Sequence, residues 1–450
     1  FQPLGRSRQI AVDAPRLAAY MWMARPVVLA QRSSLRQSTT RKGLLLAPRD
    51  TRPADTHRNA IGQTIIVAVF ARLVLNTARR FAYPFAPALS RGLGVPLTAV
   101  TSLIAVNQIT ALRGVMVGPV VDRLGYRRMM LVGMGILVVG MWVGAIFGVY
   151  WAVLVALLLA GVGKTIFDPA IQAYIGQNVP YTKRGLAVGA IETSWAGSSL
   201  LGIPLMGFVM QRWGWPATFW ALGLLALVGI LGIFFFMHRD RPTPEMRPSP
   251  QAFWTSLTAL LKERAVVGVY GLGLFISIAG DTVFVVFGAW LETAFGLGLA
   301  SLGLATAVIG AAELTAEAGV ALLADRIGLY RAVLIGSCGL LVSYLLLPAS
   351  GQFLALALVA LFVVFVCFEF SMVATISLCT ELYPSGRATM MAGFYAVSAL
   401  GRVAGALLGG VIWTRFGWNA VCAVAMISTV LAMTALIWGV RHWRPPIRSL

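Results

Sequence analysis

Twelve ionisable residues lie inside long apolar runs of this 450-residue chain, and they are the side chains best placed to do chemistry. The acids are Asp168, Glu192, Asp281, Glu313, Glu317 and Glu369; the bases are Arg72, Arg79, Arg80, Arg113, Lys164 and Arg402. A charge in hydrocarbon costs roughly 2.5–3.5 kcal/mol on insertion scales, so each must face a partner or a wet cavity. Six acids against six bases suggest pairing. Lys164 and Asp168 stand one helical turn apart and can pair with each other. Glu313 and Glu317 are also one turn apart; two such carboxylates can share a proton, and an Arg partner would satisfy them equally.

Enzyme chemistry is excluded by what surrounds these groups. No nucleophile stands beside a base, and no metal-ligand spacing occurs. His57, His238 and His442 all fall outside the apolar runs. Gly163-Lys164-Thr165 hints at a phosphate loop, yet Leu158 takes the place of its first glycine and no strand precedes it. No cofactor and no metal are expected. Cys338, Cys367, Cys379 and Cys422 read as small buried hydrophobes.

The elements that position the charges follow from composition. The chain is 58% hydrophobic and only 12% charged, with mean hydropathy +0.81. Apolar runs of about 20 residues mean membrane helices. Twelve are expected, at 61–90, 97–121, 129–148, 150–178, 185–210, 216–237, 266–291, 299–323, 332–349, 352–380, 388–412 and 418–440. They are called spans 1 to 12. Residues 1–60 carry ten Arg and one Lys against three Asp and read as a disordered basic tail, with Met21 and Met23 as plausible true starts. Residues 61–237 form one six-helix bundle, 238–265 a polar linker, 266–441 a second bundle, and 442–450 a tail.

The net charge of +20 does not imply nucleic acid, because the charge lies in the first 60 residues and in short loops. With both termini in the cytoplasm, sixteen loop Lys and Arg fall inside and only Arg91, Arg212 and Arg415 outside. That asymmetry sets the orientation in a plasma (inner) membrane.

The loop after span 2 reads GPVVDRLGYRR, with Gly118, Asp122, Arg123, Gly125, Arg127 and Arg128. A second copy, DRIGLYR, supplies Asp325, Arg326, Gly328 and Arg331 at an offset of 203 (325 − 122), with Ala321 where the first Gly should be. The same offset carries Gly202 onto Gly405 and Gly207 onto Gly410. Two copies of one unit are therefore expected. Twelve spans in two halves, a polar linker and this loop motif resemble the major facilitator superfamily, over about residues 61–440.

The resemblance implies an all-α membrane protein with twelve transmembrane helices in two pseudo-symmetric six-helix bundles, the major facilitator fold. It makes the loop residues and their second copy a conformational latch. It puts spans 1, 4, 7 and 10 around a central cavity. Asp168, Glu369 and Asp281 become candidates for proton or substrate coupling, with Lys164 beside Asp168, and Arg79 or Arg80 anchoring an anionic group. Spans 5 and 8, and spans 2 and 11, meet across the halves, so Arg113, Glu192, Glu313, Glu317 and Arg402 become interface or gate residues. Gly202, Pro204 and Gly207 resemble an imperfect antiporter signature, and with Gly405 and Gly409 they serve close helix packing. The Arg that proton-coupled members carry on span 4 is replaced by Leu158, which departs from the pattern. CFEF around Glu369, with Glu381–Pro384, is similar to efflux-type members.

The expected function is secondary transport of a small organic solute, proton-coupled and outward, by a monomer in the lipid bilayer. Import or uniport of a metabolite or organic anion is the alternative. A non-transporting membrane sensor or assembly protein is a third reading, which the mid-depth charges oppose.

Overall fold

The computed structural model describes residues 54–113, 120–121, 124–238, 258–383 and 386–441. Within these residues the chain is helical, and Arg58–Leu450 forms one compact unit. The tail reading falls on residues outside this range up to 53. Span 1 itself begins earlier than expected, at Ala54.

Among the described residues nine helices are long and apolar enough to cross a membrane. Arg387–Val440 is two of the expected spans run together, because Gly417 (φ 75°) breaks the helix between them. Ala54–Arg80, loaded with four arginines, and Leu97–Ile109 supply spans 1 and 2. The pattern is consistent with twelve.

Proline accounts for the departures from straight helices in spans 1 and 5. Span 1 was expected to run unbroken over 61–90. Instead it stops at Arg80, turns through 81–85 and resumes as Ala86–Leu93. Pro84 has no N–H to donate and its ring crowds the preceding turn, so the helix cannot continue through it. Span 7 breaks at the matching place, between Arg264–Phe284 and Phe287–Phe295. Pro204 acts similarly in span 5, where Ser198–Gly202 widens into a π-turn before Ile203–Trp213. Span 2, expected to reach 121, is α-helical over Leu97–Ile109 and tightens into a 3-10 turn at Thr110–Arg113; residues 114–119 lie outside the described range. The bend of 117° between Ala86–Leu93 and Leu97–Ile109 is the corner from span 1 to span 2.

The doubled register is visible in the backbone. Gly125 and Gly328 have φ 90° and 85°, and Gly214 and Gly417 have 82° and 75°. Both pairs are 203 residues apart (328 − 125 and 417 − 214). Side-chain-bearing residues avoid such φ values, so these turns require glycine.

Contacts between the halves gather at the end opposite the two helical termini. There Arg91 Nη2 pairs with Glu292 Oε1 at 2.7 Å. The Ala300 amide donates to Gln211 Oε1 at 2.8 Å. A Cβ on Gly207 would lie 2.7 Å from the Leu299 carbonyl oxygen, and one on Gly303 3.0 Å from Pro204 Cα. The break in span 1 nests against span 7, since a Cβ on Gly288 would collide with the Pro84 carbonyl. Spans 5 and 8 and spans 1 and 7 are thus closed together at this end.

Candidate functional site

Three groups of polar side chains occupy the interior. The first lies within the N-terminal half. Arg72 on span 1 reaches Asp168 Oδ1 through Nε at 3.1 Å and Glu192 Oε2 through Nη1 at 2.8 Å. Lys164 Nζ pairs with Asp168 Oδ2 at 2.7 Å and donates to Asn76 Oδ1 at 2.7 Å. Gln172 donates to the other oxygen of Glu192. The pair of Lys164 and Asp168 forms as their spacing suggested. Glu192, expected at the face between spans 5 and 8, makes its ion pair to Arg72 in its own half.

The second group crosses the halves. Arg80 Nη2 meets Glu313 Oε1 at 2.6 Å, and Nη1 meets Oε2 at 3.3 Å. Both side chains are buried, at 5% and 3% exposure. Ser199 Oγ donates to Glu313 Oε2, and Arg80 Nη1 also donates to the Trp195 carbonyl and Ser198 Oγ. The π-turn of span 5 is what delivers these two serines. The guanidinium lies over the Trp195 ring, 4.2 Å from its centroid.

The third group is a chain across spans 1, 2, 7 and 11. Arg79 Nη2 donates to Gln108 Oε1 at 2.9 Å, and Gln108 Nε2 donates to Tyr83 Oη at 2.6 Å. Tyr83 Oη donates to Asp281 Oδ1 at 3.0 Å, and Asp281 Oδ2 stands 4.0 Å from Arg402 Nη1. Gly405 makes the last contact possible: a Cβ there would lie 2.9 Å from Asp281 Cβ, so span 11 could not approach span 7. Gly409 packs on Thr282 in the same seam, and Gly202 packs on Thr77 of span 1.

Two acids remain. Glu317 and Glu369 are half-buried and have no ion pair or hydrogen bond among the described residues. The charges acting on Glu369 are Glu313, Arg402, Glu317 and Arg80. Those on Glu317 are Glu313, Glu192 and Arg72.

The latch is only partly described. Gly118, Asp122 and Arg123, and the side chains of Arg113 and Asp325, lie outside the described residues. Arg127 donates to the Ile233 and Phe234 carbonyls at the end of span 6 and sits over the Phe234 ring. Arg128, Arg326 and Arg331 are exposed.

Asn76, Tyr83, Asn107, Gln108, Ser198 and Ser199 were not singled out from the sequence. Their signal was present as amides and hydroxyls inside apolar runs, which must find partners once buried. No cluster able to hold a metal occurs among the described residues.

Among the described residues the arrangement pairs most interior charges, leaves two interior acids without an ion pair, and draws the site from both halves. Comparisons with known proteins agree with a carrier. The family model of the Major Facilitator Superfamily matches residues 68–277 and 270–449. The uncharacterized MFS-type transporter YwfA of Bacillus subtilis is 23% identical over 377 residues, 80% of this chain and 88% of that protein. The uncharacterized MFS-type transporter YceJ of the same organism is 25% identical, over 72% of this chain and 82% of its own. A bacterial homolog of the human lysosomal transporter Spinster, solved inward-facing and unoccupied, superposes with a TM-score of 0.66 at 11% identity, over 87% of this chain and 96% of that one. That likeness concerns the fold. The chain is a multi-pass membrane protein and a secondary transporter, not an enzyme, and it belongs to the Major Facilitator Superfamily.

Proposed function

We propose that this protein exports a small organic solute by proton-coupled alternating access, rocking its two halves about the central charged chamber. The observation that carries the coupling is the state of Glu317 and Glu369. Among the described residues they are half-buried carboxylates with no ion pair, in a chamber where the other acids have a cation beside them. An acid held by two cations, as Asp168 is, has little reason to change protonation; an unpartnered one does. Glu369 is therefore the first coupling candidate and Glu317 the second. Asp168, Lys164 and Arg72 hold spans 1, 4 and 5 together.

The outward direction is supported by the efflux-like stretch around Glu369 and Glu381. A plasma-membrane location with both termini cytoplasmic is supported by the loop charge asymmetry. The protein works as a monomer in this reading. The loop motif acts as the latch at the opposite end, alternating with the closure made by spans 5 and 8.

Uptake or uniport of an organic anion is the second reading. It is favoured by Arg79, whose guanidinium meets amide oxygens and, among the described residues, no carboxylate.

The test uses proteoliposomes with an imposed pH gradient and a panel of organic cations, anions and neutral solutes. A compound that dissipates the gradient with the native protein, and not with Glu369→Gln, supports the proposal. A labelled compound that equilibrates without proton movement replaces it with uniport.

A further inference from the structure

Arg79 stands apart from the other cations of the chamber. Arg72 and Arg80 each sit on carboxylates, at 2.8 and 2.6 Å. Arg79 donates through Nε to Asn107 Oδ1 at 3.2 Å and through Nη2 to Gln108 Oε1 at 2.9 Å. Asn107 returns a bond to the Arg79 carbonyl at 3.3 Å, which fixes the amide in place. Amide oxygens orient a guanidinium but do not neutralise it. Arg79 has no ion pair among the described residues, and its Nη1 has no partner there.

Arg402 is nearly as poorly served. Among the described residues its ion-pair partner is Asp281, at 4.0 Å, and the other oxygen of Asp281 is taken by Tyr83. The Arg402 side chain keeps 24% of its exposure. The acids around Arg402 are Asp281, Glu369 and Glu313; those around Arg79 are Asp168 and Asp281. Arg79 belongs to one half and Arg402 to the other, joined by the chain through Gln108, Tyr83 and Asp281.

Two under-neutralised guanidiniums at the meeting of the halves are built to take a planar anion, because the fork of N–H donors matches a carboxylate. We propose that Arg79 and Arg402 are the two jaws of a binding site for an organic anion of the carboxylate class. The inference rests on the reading of the chamber as the transport site and names its substrate class. An anion held by both jaws ties the halves together, as a substrate at the repeat interface must.

The experiment uses the full chain in nanodiscs. Binding of acetate, benzoate and octanoate is measured by thermal shift and by tryptophan fluorescence. Benzamide serves as the neutral match and benzyltrimethylammonium as the cationic one. The expected result is stabilisation by at least one anion, with benzamide weaker by at least tenfold. Arg79→Gln and Arg402→Gln should each weaken that anion at least tenfold, and Arg79→Lys less. Size-exclusion profiles and ligand-free melting points establish that each variant is folded, and Arg79→Lys stands in should Arg79→Gln misfold. Equal binding of benzamide or of the cation, or anion binding that survives both substitutions, overturns the proposal. A cation that moves protons while no anion binds also overturns it, and leaves the transport reading standing. No binding with no proton movement by any probe removes both.

Discussion

Arg80 grips Glu313 with two nitrogens, at 2.6 and 3.3 Å, and the two residues belong to opposite halves of the molecule. Removing one member of a buried ion pair leaves the other charged and desolvated, at a cost of about 3–5 kcal/mol. Glu313→Gln and Arg80→Gln should each lower the melting temperature by several degrees. The exchanged pair, Arg80→Glu with Glu313→Arg, should recover part of the loss. Thermal unfolding of the purified variants reads this. Unchanged melting points would mean that the pair does not tie the two halves together.

Asp168 and Glu369 should behave oppositely. Asp168 has Arg72 and Lys164 at 3.1 and 2.7 Å, so Asp168→Asn leaves Arg72 with Glu192 alone and Lys164 without its carboxylate, and should lower stability. Glu369 has no such partner, so Glu369→Gln should fold normally and keep its melting point within a degree or two. Its expected loss is in proton coupling. Melting curves run beside flux assays separate the two effects.

The close approach of spans 5 and 8 depends on Gly207. A Cβ there would lie 2.7 Å from the Leu299 carbonyl and 3.0 Å from Phe85. Gly207→Val should force the halves apart at this end and favour the opposite state. Spin labels across the rim, for example at Arg91 and Glu292 positions replaced by cysteine, should report a longer distance than in the same labelled protein with Gly207. An unchanged distance would place the closure elsewhere.

Arg127 and Arg128 lie side by side in the sequence but differ in setting. Arg127 caps the last carbonyls of span 6 and covers Phe234, while Arg128 is exposed. A cation at a helix C-terminus is worth roughly 0.3–1 kcal/mol. Arg127→Ala should therefore destabilise measurably and Arg128→Ala should not. Chemical unfolding of both variants decides it.

Much of this arrangement was legible in the residues. Apolar runs and the offset of 203 were enough for the two-half helical plan, and the positive-φ glycines at 125, 328, 214 and 417 follow that offset. The twelve interior charges were also evident. Their partners were not, because Arg72 meets Asp168 and Arg80 meets Glu313 through folding, across separations of 96 and 233 residues. Only Lys164 with Asp168, one turn apart on one helix, could be paired beforehand. The break in span 1 was signalled by Pro84 but was overridden by the apolar run continuing on both sides. Tyr83, Asn107 and Gln108 escaped because a single neutral polar residue in a span resembles ordinary packing until its neighbours are known.

The most direct measurement is proton movement in proteoliposomes driven by a transported solute, with native protein beside Glu369→Gln. The account predicts that the solute collapses an imposed pH gradient with the native protein, that Glu369→Gln abolishes this, and that Asp168→Asn retains it in whatever fraction folds. Full proton movement with Glu369→Gln would contradict it.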